Sequence, residues 1–188
     1  MYSCNPQNKM AIDKLVLNEN VEDFFQNGNT AVEAREINTT LPFIYTNDVE
    51  SYKYGTVNFV NSDGDDMILS RIGVLLARPT DATIVGVVVA IENTQTSSLL
   101  LKEITKLNGL PEILVPIPQE NNDNQLLGHS AYLWRLKDNR SIILTQSYEY
   151  TEGKRTMSSL MYMVSNKVKV IDPNQDEFVV DRLIRTYK

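Results

Sequence analysis

The stretch Ala131-Tyr132-Leu133-Trp134-Arg135-Leu136-Lys137, followed by Asp138-Asn139-Arg140 and then by Ser141 to Tyr150, decides how this chain folds. Residues 131–137 alternate: Tyr132, Trp134 and Leu136 fall on one side of an extended chain, Arg135 and Lys137 on the other. Asp138-Asn139-Arg140 has the composition of a turn. Ser141 to Tyr150 then returns with Ile142, Leu144 and Tyr148 on one face. Glu152-Gly153-Lys154 turns again, Thr156 to Val164 forms a third strand, and Val168 with Val170 is expected to close a fourth. Short strands joined by tight turns pair antiparallel.

Downstream of this meander, Asp172 is expected to cap a last helix with Pro173 in its first turn and Val180, Leu183, Ile184 and Tyr187 on its apolar face. Upstream, residues 116–128 read as a polar loop. Before it, Thr96, Ser97 or Ser98 caps a helix whose buried stripe is Leu100, Ile104 and Leu107. Asn108-Gly109 ends that helix, Leu110 packs back on its last turn, and Pro111 prevents continuation. Thr83 to Glu92 is a strand covered on both sides, with Val85, Val87, Val89 and Ile91 on one face. Residues 54–60 and 67–77 are expected to form a hairpin around the turn at residues 61–66. Residues 29–50 read as loop with a short strand at Phe43–Tyr45. Residues 12–17 read as a strand, and Asn20 caps a short helix carrying Val21, Phe24 and Phe25 that stops at Asn27-Gly28.

The fold class is therefore α+β, predominantly antiparallel sheet with two or three short helices. Residues 1–11 are a flexible tether and residues 12–188 a single α+β domain, with halves 12–95 and 96–188 that share an outline: apolar strand, helix ending in Asn-Gly, antiparallel strands. A chain of 188 residues buries roughly 70% of the surface its unfolded form exposes. The net charge of −6 argues against nucleic acid as a partner, because phosphate contact needs a basic surface. Of 18 Lys+Arg and 24 Asp+Glu, residues 1–95 hold 6 and 13, and residues 96–188 hold 12 and 11, so the acidity belongs to the first half.

The single cysteine, Cys4, excludes an intrachain disulfide. Ser3-Cys4, followed by the polar lead Asn5-Pro6-Gln7-Asn8, resembles the end of a bacterial lipobox and its tether. That resemblance implies a lipid on Cys4 and membrane contact only through it; the alternative is a cytosolic start with an incidental cysteine. The order of helix and antiparallel strands, with Tyr132 and Trp134 on one strand and a hairpin after it, resembles the modules of the β-lactamase-inhibitor-like group, several of which are small bacterial envelope proteins. That likeness implies protein binding rather than catalysis.

Residues with chemical potential are few. His129 is the one histidine, so no His-rich metal site can form, and no phosphate loop, dinucleotide fingerprint or nucleophile elbow is present. No catalytic set, metal or cofactor is expected. The cluster Asp63, Asp65 and Asp66 lacks EF-hand spacing and reads as a turn. Arg135 and Lys137, with Lys167 and Lys169 at i, i+2, are expected to form a basic stripe for an acidic partner or a solvated face. Asn38-Thr39-Thr40 and Asn139-Arg140-Ser141 fit the glycosylation sequon, relevant only in a eukaryotic secretory context. The expected function is a non-enzymatic, envelope-associated binding or accessory protein, its partner another protein. The alternatives are a cytosolic acidic interaction module of inhibitor or immunity type, and an unrecognised hydrolase using His129.

Overall fold

The structure, a computed structural model, describes residues 9–25, 30–33, 35–61, 70–121, 123, 125–151, 153–172 and 174–187. Along the chain the strands are β1 (Met10–Ala11), β2 (Ala31–Glu33), β3 (Phe43–Thr46), β4 (Tyr52–Tyr54), β5 (Val57–Asn58), β6 (Arg71–Leu76), β7 (Ile84–Ile91), β8 (Glu112–Val115), β9 (Gly128–Arg135), β10 (Arg140–Thr151) and β11 (Lys154–Ser165). The helices are α1 (Val21–Phe24), α2 (Thr94–Asn108) and α3 (Val179–Arg185), with single 3-10 turns at Ile12–Lys14 and Val49–Ser51. The α+β, mostly antiparallel architecture read from the sequence is the one observed.

Eight strands form one sheet in the order β2-β3-β6-β7-β11-β10-β9-β8, every pair antiparallel. Each half of the chain supplies a four-strand meander, and the last strands of the two meanders, β7 and β11, pair at the centre from Gly86↔Val164 to Ile91↔Ser159. The sheet is thus continuous across the two halves, which are related by a pseudo-twofold at the level of strand order. A second sheet, β1-β4-β5, contains the one parallel pair among the described residues, β1 with β4.

Alternation along the central strands feeds two cores. On one face Val87, Val89, Ile142, Leu144, Met161 and Met163 meet Leu100 and Ile104 of α2, Tyr52 and Tyr54 of the small sheet, and Ile12 and Phe24. On the other, Val88, Leu133, Ile143, Tyr162 and Val164 meet Leu41 and the Val179, Val180, Leu183 and Ile184 face of α3. Each fully buried aliphatic side chain contributes about 1.5–3 kcal/mol. Both faces of the large sheet are therefore covered.

Polar ties fix the covering layers. Glu103 of α2 accepts from the Thr56 amide at 3.0 Å and pairs with Lys106 at 3.2 Å, clamping the β4–β5 turn to the helix; the Thr56 amide, foremost, holds this carboxyl below its usual range. The Gly55 amide donates to Asp13 at 2.9 Å. On the opposite face the buried carboxylate of Glu36 accepts from the Thr39 amide at 2.8 Å and from the Tyr162 hydroxyl at 3.0 Å. The Asn38 amide group also donates to that hydroxyl, at 2.6 Å. Burial pushes the Tyr162 phenol far above its ordinary pKa.

Several local expectations are corrected. Met10 and Ala11, expected in the tether, pair with Tyr52 and Lys53; residues 1–8 lie outside the described residues. Residues 12–17 are not a strand: a 3-10 turn lets Ile12, Leu15 and Leu17 reach one core while Lys14 and Val16 stay outside. Residues 54–60 do not run through as one strand. Gly55, at φ +55, turns the chain back, and β5 and the β6 strand belong to different sheets, so the expected hairpin does not form. The turn at 61–66 lies mostly outside the described residues, as do Asn27-Gly28. A bulge opposite Leu75/Leu76 switches the start of β7, so that Ile84 joins Val87 and Val89 while Val85 packs on the other face.

Helix α1 spans one turn, with Asn20 Oδ1 accepting from the Glu22 amide as expected; Phe25 lies beyond it, edge-on to Phe24. The cap of α2 is Asn93, whose side chain accepts from the Thr96 amide, and Glu103 rather than Leu107 completes its buried face. Val168 and Val170 form no fourth strand; only Lys169 bridges, to Phe178. α3 starts at Val179 because Asp172 caps a turn, its carboxylate accepting from the Asn174 amide, instead of a helix.

Candidate functional site: the outer edge of the large sheet

With both faces of the sheet occupied, its accessible main chain lies at the edges. One edge, β8, is built by three neighbouring devices. Gly109, at φ +84, ends α2 with its amide donating to Thr105 O, and the Trp134 indole donates to the Gly109 carbonyl at 2.8 Å. This pins the crossing over β9 and delivers Pro111 and β8 to the rim. β8 then pairs inward with β9 through Glu112↔Leu133, Ile113↔Tyr132 and Val115↔Ala131, with an irregularity between Ile113 and Val115. Beyond Pro116, Asn121 Oδ1 accepts from the amides of Asp123 and Gln125, and Gly128, at φ +119, packs beside Pro118.

Among the described residues the outer side of β8 has no neighbour in the sheet order. Along this rim Leu110 is 90% exposed, Ile113 62% and Ile117 54%. Between Leu107 and Trp134 the chain has no Lys or Arg, whereas Glu112, Glu120 and Asp123 are exposed. The rim is therefore apolar and acidic at once, on the outer side of an edge strand, an arrangement suited to receiving an extended chain. Leu110, read from the sequence as packing inward, is instead part of this surface, because it stands beyond the Gly109 turn; Leu107 is half-exposed beside Gly55, because α2 turns Glu103 inward to hold the Thr56 amide.

Of the expected site residues, Cys4 lies outside the described residues, as do Asp63, Asp65 and Asp66. Arg135 is exposed at the end of β9 and Lys137 is exposed in the turn after it. Lys167 stands in the turn after β11, beside the β9–β10 turn through Asn166 N to Asn139 O at 2.9 Å. Lys169 pairs with Asp176 and lies over the Phe178 ring. The structure thus brings Arg135, Lys137 and Lys167 to one end of the sheet and ties Lys169 to the segment leading into α3. Tyr132 and Trp134 pack in the first core with ring centroids 6.2 Å apart.

His129 is exposed in a shallow depression of about 620 Å³ with Thr145, Ser147, Glu149 and Tyr187. Its cross-strand partner is Ser147, and its ring lies 6.4 Å from that of Tyr187, whose hydroxyl is engaged with Thr145 at 2.5 Å. Among the described residues no three His, Cys, Asp or Glu side chains converge to hold a metal ion, and no helix is long and apolar enough to cross a membrane. The sequon amide of Asn38 is engaged with Tyr162. Comparisons found no protein family, no curated protein and no solved structure that matches this chain.

Proposed function

We propose that the chain is a protein-binding module that receives an extended, apolar and basic segment of a partner protein along the outer edge of β8. The observation that carries this reading is the coincidence, on one free edge, of exposed Leu110, Ile113 and Ile117 with a run of 28 residues, 107–134, free of Lys and Arg. An added strand would gain main-chain hydrogen bonds and would bury these side chains, each contributing up to about 1.5–3 kcal/mol if fully covered. Pro111 and Pro116 bracket β8, so pairing is confined to a short register and the edge is protected from open-ended growth. Self-pairing of two copies would bring Glu112, Glu120 and Asp123 against themselves, whereas Lys or Arg in the partner complements them.

The test is selection of short random peptides displayed on phage against the wild-type chain, with Ile113→Glu as the counter-target. Enrichment of sequences alternating apolar with Lys or Arg, lost on the counter-target and weakened by salt, supports the proposal. Enriched peptides that bind Ile113→Glu equally well contradict it, and a concentration-dependent dimer abolished by Ile113→Glu would assign the edge to a second copy instead.

The proposal extends to location: a non-enzymatic binding protein held at a bacterial envelope by a lipid on Cys4, supported by Ser3-Cys4 and the polar residues after it. Labelling with a palmitate analogue in cells expressing the complete gene, with Cys4→Ala as control, tests it. Label lost in the control supports the anchor. Absence of label favours the second reading, a cytosolic acidic interaction module of inhibitor or immunity type, for which the carboxylates flanking β8 speak.

A further inference from the structure

A second concavity, of about 400 Å³, lies at the end of the sheet away from the β8 surface's acidic loop, where residues 14–18, the β9–β10 turn and the chain after β11 converge. Its walls carry Lys14 on one side and Lys167 on the other, with Arg140 and Asp138 between. Arg140 is committed: its Nε donates to Asp138 at 2.6 Å and its Nη1 to the Leu15 carbonyl at 2.6 Å, so its side chain ties the two walls together. Asp138 is paired with the same guanidinium, which holds its carboxyl below the usual range, so the two charges offset each other. Lys14 and Lys167 are exposed and make no ion pair among the described residues. In a chain of net charge −6, the residues lining the cleft therefore carry an excess of two positive charges, with the Glu19 carboxylate on the Val16 amide at its margin.

We propose that this cleft binds a phosphate group between Lys14 and Lys167, with Arg140 as a positioning residue that sets the separation of the walls. Two lysines lining one cleft match the charge of about −1.5 to −2 on a phosphomonoester at neutral pH. Val16, Val85 and Val168 at the same concavity offer apolar contact to the body that carries the phosphate. Asn18 and Asn139, two of the three described non-glycine residues with positive φ, hold the loops that form the walls.

The experiment is titration of the isotopically labelled full chain with inorganic phosphate, followed by amide NMR against sodium chloride of equal ionic strength, in wild type and in Lys14→Gln/Lys167→Gln. Saturable shifts at residues 14–18 and 166–168, weakened at least tenfold in the double variant while its thermal midpoint stays within about 2 °C, establish the site. Shifts reproduced by chloride, or undiminished in the double variant, overturn it. A vesicle arm identifies the source of the phosphate. Lysine-dependent capture on phosphatidylcholine vesicles containing phosphatidic acid, but not on phosphatidylcholine alone, assigns it to a lipid headgroup; saturation by free phosphate without vesicle capture assigns it to a soluble ligand.

Discussion

Replacing Tyr162 by Phe removes one oxygen and tests whether the buried carboxylate of Glu36 latches the 36–41 segment over the second core. The lost hydroxyl donates to Glu36 Oε1 at 3.0 Å and accepts from Asn38 Nδ2 at 2.6 Å. The ring is retained, so the apolar packing of Tyr162 with Val88, Ile143 and Val164 is unchanged. A hydrogen bond to a charged acceptor contributes about 1.5–3 kcal/mol, and the one other donor near the buried Glu36 Oε1 among the described residues, the Asn38 side-chain amide, is distant at 3.4 Å. Two amides, of Asn38 and Thr39, remain on the other carboxylate oxygen, which limits the damage. The expected loss is about 2.5 kcal/mol. At roughly 2–4 °C per kcal/mol for a chain of this size, the thermal midpoint falls by about 5–10 °C. The assay is urea and thermal unfolding followed by the fluorescence of Trp134, the one tryptophan. Tyr187→Phe is the control: it loses a half-exposed contact to Thr145 and shifts stability by under about 1 kcal/mol. A Tyr162→Phe chain as stable as wild type within about 0.5 kcal/mol, the ordinary scatter of surface changes, refutes the latch.

Three further outcomes are expected. Glu92 is half-buried beside β7, and burial, then the charge of Glu149, raises its carboxyl pKa. Its neutral form is thus favoured by folding, and the stability it supports is complete below the unfolded carboxylate pKa and declines as pH rises through the raised folded value. Glu92→Gln should therefore gain in thermal midpoint relative to wild type between pH 4 and pH 7; a difference that is constant with pH argues against it. Gly73→Ala in β6 should cost about 3 kcal/mol in urea unfolding, because an added Cβ falls on the Ile44 carbonyl and the Phe43 ring, where backbone has to move; a neutral result means that β3 and β6 adjust freely. Trp134→Phe removes the bond to the Gly109 carbonyl and should lower stability by about 1–2 kcal/mol while speeding amide exchange at residues 109–115; unchanged exchange there means that the indole does not pin the crossing.

What the chain discloses before folding depends on how local the cause is. The β9–β11 meander is legible because alternation at Tyr132 and Trp134, Ile142 and Leu144 coincides with turn residues between them. Asn20 is legible as a cap because its partner is two residues away. The bulge at the start of β7 is not, since Ile84 and Val85 are both apolar and either fits either core. Residues 12–17 carry a spacing that serves a strand or a tight turn equally, and the small sheet decides between them. Glu36 meets Tyr162 across 126 residues, beyond any periodicity.

The exposed β8 edge is not legible in the sequence for a related reason. Leu107 follows Leu100 and Ile104 in helical register, and only the demand of the Thr56 amide for an acceptor brings Glu103 into that face. A signal was present in the proline-bracketed residues 111–116 and in the missing cations on either side. The basic residues at 135, 137, 167 and 169 read as one stripe by alternation, but β11 ends at Ser165, so Lys167 lines the cleft with Lys14 and Lys169 pairs with Asp176.

Strand addition at β8 is open to direct observation. The most direct measurement is amide hydrogen exchange of the wild-type chain with and without the best phage-selected peptide. Strand addition predicts slowed exchange at residues 112–115, with little change at β2, the opposite edge, and no protection when Ile113→Glu is used. Protection centred on β2, on the Lys14–Lys167 cleft or on no segment at all contradicts it.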